Sequence, residues 1–345
     1  MNMNTVNVTV RSGMSVLKCT VGVAASLVCA TALALEPIEV IVPFGPGGGA
    51  DLLARHCAPI LQTALTAPVR VTNVPGATGN AGIARLLAAP SDGRTVAVLT
   101  ADTYATLAYA NPSWNAADVI PLAIMTRQTS ALFVAASSRF ARWHDLEKEA
   151  RARPRTLRVA ISGLGSPDYI ALQQLAAKNI HLTPLPLANP QERYQAVLNG
   201  QADALYEQPG DVRSLVEAGQ IRPVLMFGAA PSNGSNGANG GVPTSGELGL
   251  GNGQAQFRAF VVKAGTDPKL VAALAEAYAR AGASPEFKAF LDTQLAAGDS
   301  FVAASGAQAY MQRELMQMKQ VVQGLPMHAQ HLFDDKAPQE LPAQF

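Results

Sequence analysis

The stretch that decides the fold is IEVIVPFGPGGGADLLARHCAPILQTAL, residues 38–65. Its first part is apolar and β-branched at Ile38, Val40, Ile41 and Val42 and ends at Pro43. A glycine cluster follows at Gly45, Gly47, Gly48 and Gly49. From Asp51 onward, Leu52, Leu53, Cys57, Ile60, Leu61 and Leu65 recur at helical spacing. The pattern predicts a buried strand, a tight glycine turn and a helix. The turn then lies at the strand's carboxyl end, where ligands sit in an open α/β sheet. Unpaired N–H groups of the turn and first helical residues, together with the helix dipole, make such a turn a ready anion site.

Working outward, the same unit recurs. Residues 69–73 (VRVTN) read as a strand, followed by the glycine turn and short helix VPGATGNAGIARLLAA with Gly76, Gly79 and Gly82. Residues 95–100 (TVAVLT) read as a third strand, with Ala101, Asp102 and Thr103 at its carboxyl end. The order βαβαβ predicts a parallel sheet with helices on both faces. A strand at 157–161 runs into a third glycine turn, SGLGSP, in which Ser166 is placed as N-cap, Pro167 at the first helical position and Asp168 in the first turn. Strands at 182–187, 203–206 and 222–227, with helices at 191–198 and 212–218, complete a second α/β half. The apolar segments 132–136 and 257–262 are expected to carry the chain into that half and back. Helices follow at 268–281, 285–295 and 308–322. On the last, Tyr310, Met311, Leu315, Met318 and Val322 share one face, a spacing that indicates core packing rather than a cofactor site.

At 345 residues the chain is long enough for two domains. A net charge of +1 gives no electrostatic basis for binding nucleic acid or an anionic membrane. In the first 34 residues Arg11 and Lys18 are the only charges, an apolar stretch follows from Cys19, and Ala32-Leu33-Ala34 forms an A-x-A site. This predicts a secretory signal peptide cut after Ala34, a periplasmic product and no membrane-embedded segment after cleavage. Cleavage removes Cys19 and Cys29 and leaves Cys57, read as a buried structural thiol. The expected organisation is a signal peptide at 1–34, a first lobe of 35–132 and 258–325, and a second lobe of 133–257. The low-complexity run 229–241 is expected to be a flexible loop and 326–345 a loose tail.

Other chemistries find little support. Gly45, Gly47 and Ala50 fit G-x-G-x-x-A, but the acidic residue a dinucleotide site needs is absent where the second strand ends at Thr72-Asn73. No Gly-Lys-Ser/Thr run exists, and S-G-L-G-S is not the G-x-S-x-G of a nucleophile elbow. His328 and His331 lack a helical pattern and a third ligand. No catalytic residue, cofactor or metal site is therefore expected.

In order along the chain stand PFGPGGGADLLAR, NVPGATGNAGIARLLAAPSDG, SGLGSPDYIALQQLA, NGQADALYEQPGDVRSLVEAGQIRPVLMF, VPTSGELG and KAGTDPKLV. The series resembles the extracytoplasmic solute-binding proteins of tripartite tricarboxylate transporters, the Bug (TctC-like) family. The resemblance implies a two-lobed α/β periplasmic binding protein (type II-like). Each lobe is then a mainly parallel sheet flanked by helices, and the lobes close over a cleft on a small carboxylate, an organic acid or amino acid. It implies binding through backbone amides and ordered waters more than arginine clamps, a monomer, and delivery to membrane transporter subunits. Presentation of the ligand to a sensor histidine kinase is a variant, and a periplasmic enzyme acting on a small acid is the competing class.

Carried over position by position, the resemblance assigns first-lobe ligand loops to 43–51 (Phe44, Gly45, Gly47, Gly48, Gly49, Asp51) and 76–79 (Gly76, Ala77, Thr78, Gly79), with Thr100 and Asp102. The second-lobe loop supplies Ser162, Gly163, Gly165 and Ser166. Asp51 is read either as a ligand contact or as an N-cap that orients the turn amides. Three departures stand out. Leu187-Ala188-Asn189 follows Pro186 where the family places a lysine, Tyr169 replaces a histidine, and Glu207 stands where many relatives have aspartate, with Asp211 nearby. The second-lobe side is thus more acidic than usual. A monocarboxylate, or an acid whose amine Glu207 accepts, is expected rather than a tricarboxylate; a solvent-facing Glu207 is the alternative.

Overall fold

A computed structural model describes residues 36–110, 112–228, 241–251 and 253–324. The expected signal peptide (1–34), residues 229–240 of the low-complexity run and the expected tail (326–345) lie outside the described residues.

The chain runs β1 (Ile38–Val42), α1 (Gly49–Leu65), β2 (Val69–Asn73), α2 (Asn80–Ala88), β3 (Thr95–Thr100), the short α3 (Ala101–Ala105) and β4 (Val119–Gln128). A second run follows: β5 (Ala131–Ala135), α4 (Trp143–Ala152), β6 (Arg158–Ile161), α5 (Pro167–Ala176), β7 (Thr183–Pro186), α6 (Pro190–Leu198), β8 (Ala204–Glu207), α7 (Arg213–Glu217) and β9 (Ile221–Met226). Then come β10 (Gln256–Lys263), α8 (Pro268–Ala283), α9 (Pro285–Thr293), β11 (Val302–Ala303) and α10 (Ala304–Gly324). Six strands form one sheet, β11-β4-β10-β3-β1-β2, and five another, β7-β6-β8-β5-β9.

Both sheets are mixed, where mainly parallel ones are expected from the sequence. β1 runs parallel to β2 and β3, and β6 parallel to β7 and β8. β10 is antiparallel to β3 and β4, and β5 is antiparallel to β8 and β9. The reason is topological. Strands of the βαβ units finish at the cleft, whereas β5 and β10 arrive from the opposite lobe and start there. Register shows this directly: Ala131 at the start of β5 faces Glu207 at the end of β8, and Arg258 near the start of β10 faces Thr100 at the end of β3.

The apolar runs are buried on both faces, as central strands of such sheets require. Val40 and Val42 face α1, α8 and α9, in a cluster with Leu53, Leu61, Tyr278 and Phe287. Ile41 faces the other way, against Ile83, Leu86 and Tyr104. In the second sheet Val159 and Ile161 pack with Trp143, Leu146 and Ile170, while Ala160 faces Tyr194 and Val197. On α10, Met311 and Met318 pack into the first lobe and Val322 reaches the second-lobe core, so this 21-residue helix touches both. Its methionines are core residues. Cys57 is fully buried and free.

Candidate functional site

In each sheet the neighbours β1/β3 and β6/β8 are the pair at which the chain's winding reverses, so their carboxyl ends open onto a crevice. The two crevices face one another across a cavity of about 30 Å³. That is room for about two water molecules, so the lobes stand closed. Of the residues predicted from sequence, the structure brings Phe44, Gly45, Gly48, Gly49, Thr100, Asp102, Ser162 and Glu207 to its wall. Asp168, Arg193, Gln208, Asp211 and Arg258 line it as well.

The remaining predicted residues lie elsewhere. α1 begins at Gly49 with Gly48 as N-cap, so Asp51 is not the cap but the third helical residue. Its buried carboxylate reaches back to accept from the Gly47 N–H at 3.0 Å and also accepts from Arg55 Nε and Asn73 Nδ2. Burial alone raises its pKa. The hydrogen bonds from Arg55, Gly47 and Asn73 outweigh that and hold Asp51 below the ordinary aspartate range. Asp51 thus fixes the turn, and Gly47's amide is spent on it.

Gly76, Ala77, Thr78 and Gly79 do not line the cavity; this loop meets the second lobe at the rim, where Thr78 Oγ1 donates to Leu164 O at 3.5 Å. Gly163 and Gly165 lie in the facing loop. Ser166 caps α5, accepting from the Tyr169 N–H at 3.3 Å. Tyr169 itself is buried in the second-lobe core rather than in the cleft, and burial pushes its hydroxyl up to about 12.

The second lobe repeats the Asp51 device. Asp168, in the first turn of α5, accepts from the Ser162 N–H at 2.8 Å and from Ser162 Oγ at 2.7 Å. Each lobe therefore places a carboxylate of its own at the positive end of its helix, which offsets the roughly half unit of positive charge there. The anion sites expected at these turns are thus partly taken by the protein's own carboxylates. In the first lobe Gly48, Gly49 and Ala50 still line the cavity, and the first N–H groups of a helix have no intrahelical acceptor. In the second lobe Asp168 occupies the loop amide.

The cavity also contains charge that the glycine turns did not reveal. Glu207 neither faces solvent nor stands free: it is buried and accepts from Arg193 Nη2 at 2.9 Å. Arg258 pairs with Asp211 and donates to Gln128 Oε1 at 2.5 Å and Gln208 Oε1 at 3.0 Å, tying the crossing strands to the β8–α7 loop. Two guanidinium groups thus face four carboxylates. Burial, and then the charge of Asp102, push Asp168 up to about 8. Burial and Glu207 likewise raise Asp102, against the pull of Arg193 and Ser162. Burial pushes Asp211 up to about 6 in spite of Arg258.

Sequence reasoning missed Arg193 and Arg258 as site residues and took Asp168 only as a helix-start signal. A signal existed for Arg258: it interrupts the apolar strand QFRAFVVK, and a charge in a buried strand requires a partner. Arg193 gives no such signal, since it sits on a polar helix.

Closure depends on glycine at close approaches. A Cβ on Gly48 would lie 2.6 Å from Pro190 Cγ, and one on Gly163 would overlap Thr78 Oγ1. Among the described residues no group of His, Cys, Asp and Glu is arranged to hold a metal, and no helix is long and apolar enough to cross a membrane.

The geometry has counterparts among known proteins. The chain is 28% identical over 289 residues to protein BugT of Bordetella pertussis, covering 77% of this chain and 86% of that protein. It superposes on MatC of Rhodopseudomonas palustris, solved with bound malate, with a TM-score of 0.74 at 23% identity over 83% of this chain and 98% of that one. For R. palustris Rpa4515, solved with adipate, the TM-score is 0.75 at 24% identity, over 84% and 96%. The sequence profile described as "Tripartite tricarboxylate transporter family receptor" (TctC) matches residues 53–326. The chain belongs to this TctC family and is a Bug-type solute-binding protein of the α/β two-lobed class.

Proposed function

We propose that the chain works outside the cytoplasm, in the periplasm, where its lobes close on a small carboxylate, an organic acid or amino acid. It then delivers that ligand to the membrane subunits of a tripartite tricarboxylate-type transporter. The observation that carries this is the cavity itself. It lies at the carboxyl ends of the switch-point strands of both sheets and is walled by Gly48–Gly49–Ala50 and two buried guanidinium groups. Main-chain N–H groups at a helix start and a guanidinium fork are both carboxylate-binding elements. The malate and adipate held by the two structural relatives fit the same chemistry. Because the closed cavity is so small, a ligand enters an open form and the lobes then close around it only as far as its size allows. It favours closure by as much as it binds the closed state better than the open one.

A thermal-shift screen of the chain from Leu35 against carboxylic acids and amino acids tests the proposal. A ligand at 100 times its dissociation constant stabilises by about 2.7 kcal/mol. If no carboxylate raises the unfolding temperature, the proposal fails.

A further inference from the structure

The charges in the cleft do not balance. Glu207 is matched by Arg193 and Asp211 by Arg258, which leaves Asp102 from the first lobe and Asp168 from the second. These two meet only through Ser162, whose Oγ lies 3.1 Å from Asp102 Oδ1 and 2.7 Å from Asp168 Oδ2. A hydroxyl carries one proton and can donate to one of them at a time. Closing the lobes on a purely anionic ligand would add negative charge beside two carboxyl groups that have no ion pair of their own.

Separate atoms of the same wall also lack partners. Asp211 Oδ1 and Arg193 Nε are buried without a hydrogen bond, on side chains only 3% and 7% exposed. The closed wall therefore leaves an acceptor and a donor unsatisfied together. Asp102 is left short of a donor whenever the Ser162 hydroxyl turns to Asp168, and an ammonium group has three.

We infer that the ligand is an amino acid, whose ammonium group bridges Asp102 and Asp168 while its carboxylate takes the Gly48–Ala50 amides. The inference rests on the solute-binding proposal above and narrows its ligand class. It also assigns the amine to the Asp102–Asp168 pair in place of Glu207, which Arg193 already holds. Because the two aspartates come from different lobes, one cation joined to both favours the closed state specifically.

The test uses calorimetric titration at pH 7.5 with matched pairs that differ only by the amine: aspartate and succinate, glutamate and glutarate, alanine and propionate, leucine and 4-methylpentanoate. The expected result is that at least one amino acid binds tenfold or more tightly than its deaminated partner. Asp168→Asn, which can still accept from the Ser162 N–H, and Asp102→Asn should each reduce that affinity tenfold or more. Acids that bind as well as or better than the matching amino acids, or amino-acid affinity unchanged in both variants, would overturn the inference while leaving the solute-binding proposal standing. Failure of every carboxylate, with or without an amine, would overturn both.

Discussion

Replacing Gly48 with alanine separates closure from folding. Gly48 is the N-cap of α1 with φ −90° and ψ 170°, a conformation open to any residue. Alanine is a poorer N-cap than glycine by about 1 kcal/mol. Its smaller unfolded-state entropy returns about 0.4–1 kcal/mol. The two nearly cancel, so the open protein should keep its stability within about 1 kcal/mol. Closure is another matter. The added Cβ would stand 2.6 Å from Pro190 Cγ and 3.2 Å from Pro190 Cβ, and the proline ring has no rotamer into which to retreat. An overpacked contact of this kind costs about 1–3 kcal/mol. Since 1.4 kcal/mol is a factor of ten, ligand affinity should fall about 5- to 150-fold. Titration calorimetry measures the affinity, urea denaturation of the ligand-free protein measures the fold, and small-angle scattering with ligand reports lobe separation. Unchanged affinity in Gly48→Ala would mean that the bound state is wider than this closed form, and the reasoning would be refuted.

Three further outcomes follow from the site. Asp168 and Asp211 are raised to about 8 and about 6, and Asp102 is raised too, so between the unfolded aspartate pKa of about 3.9 and these values the folded, closed protein holds more protons than the unfolded chain. Their contribution is fully present below that window and is lost as pH rises through it. Asp102, Glu207, Arg193 and Ser162, which interact with Asp168, all line the closed cleft. The unfolding temperature without ligand should therefore fall from pH 5 to pH 8, and Asp168→Asn should flatten the slope; a wild-type temperature that rises across this range contradicts it. Arg258→Ala leaves Asp211 buried without its partner, a change that costs about 3–5 kcal/mol, and adding Asp211→Ala should recover part of that in urea denaturation. A loss under about 1 kcal/mol would show that the pair is solvated. Finally, the Cys57 thiol is fully buried and its pKa is raised by burial, so in the chain prepared from Leu35, where it is the one cysteine, it should resist a thiol reagent in the native protein and react with one equivalent once unfolded; rapid native labelling would show that α1 opens.

What the sequence made legible follows from how each feature is encoded. The βαβ units were readable because β1, β3 and β6 are buried on both faces and so appear as continuous apolar runs that end in glycine turns. The cavity's first-lobe wall at Gly45, Gly48 and Gly49 came from the same signal. Strand direction was less accessible: that β5 and β10 run against their neighbours depends on where the chain crosses between lobes, which no local pattern records. The charged wall was hidden for a related reason. Arg258 and Asp211 are 47 residues apart, Arg193 and Glu207 are 14 apart, and Asp102 reaches Ser162 over 60 positions. In the first lobe the glycine turn does line the cavity, with Gly45, Gly48 and Gly49 on its wall. The second lobe fills its own turn with Asp168, so an equivalent loop-and-helix start presents acid where the first presents amides. The two helix starts thus share an architecture and differ in what they present, Gly48–Ala50 amides on one side and the Asp168 carboxyl on the other, a polarity better matched by a ligand with two unlike ends than by one with two carboxylates.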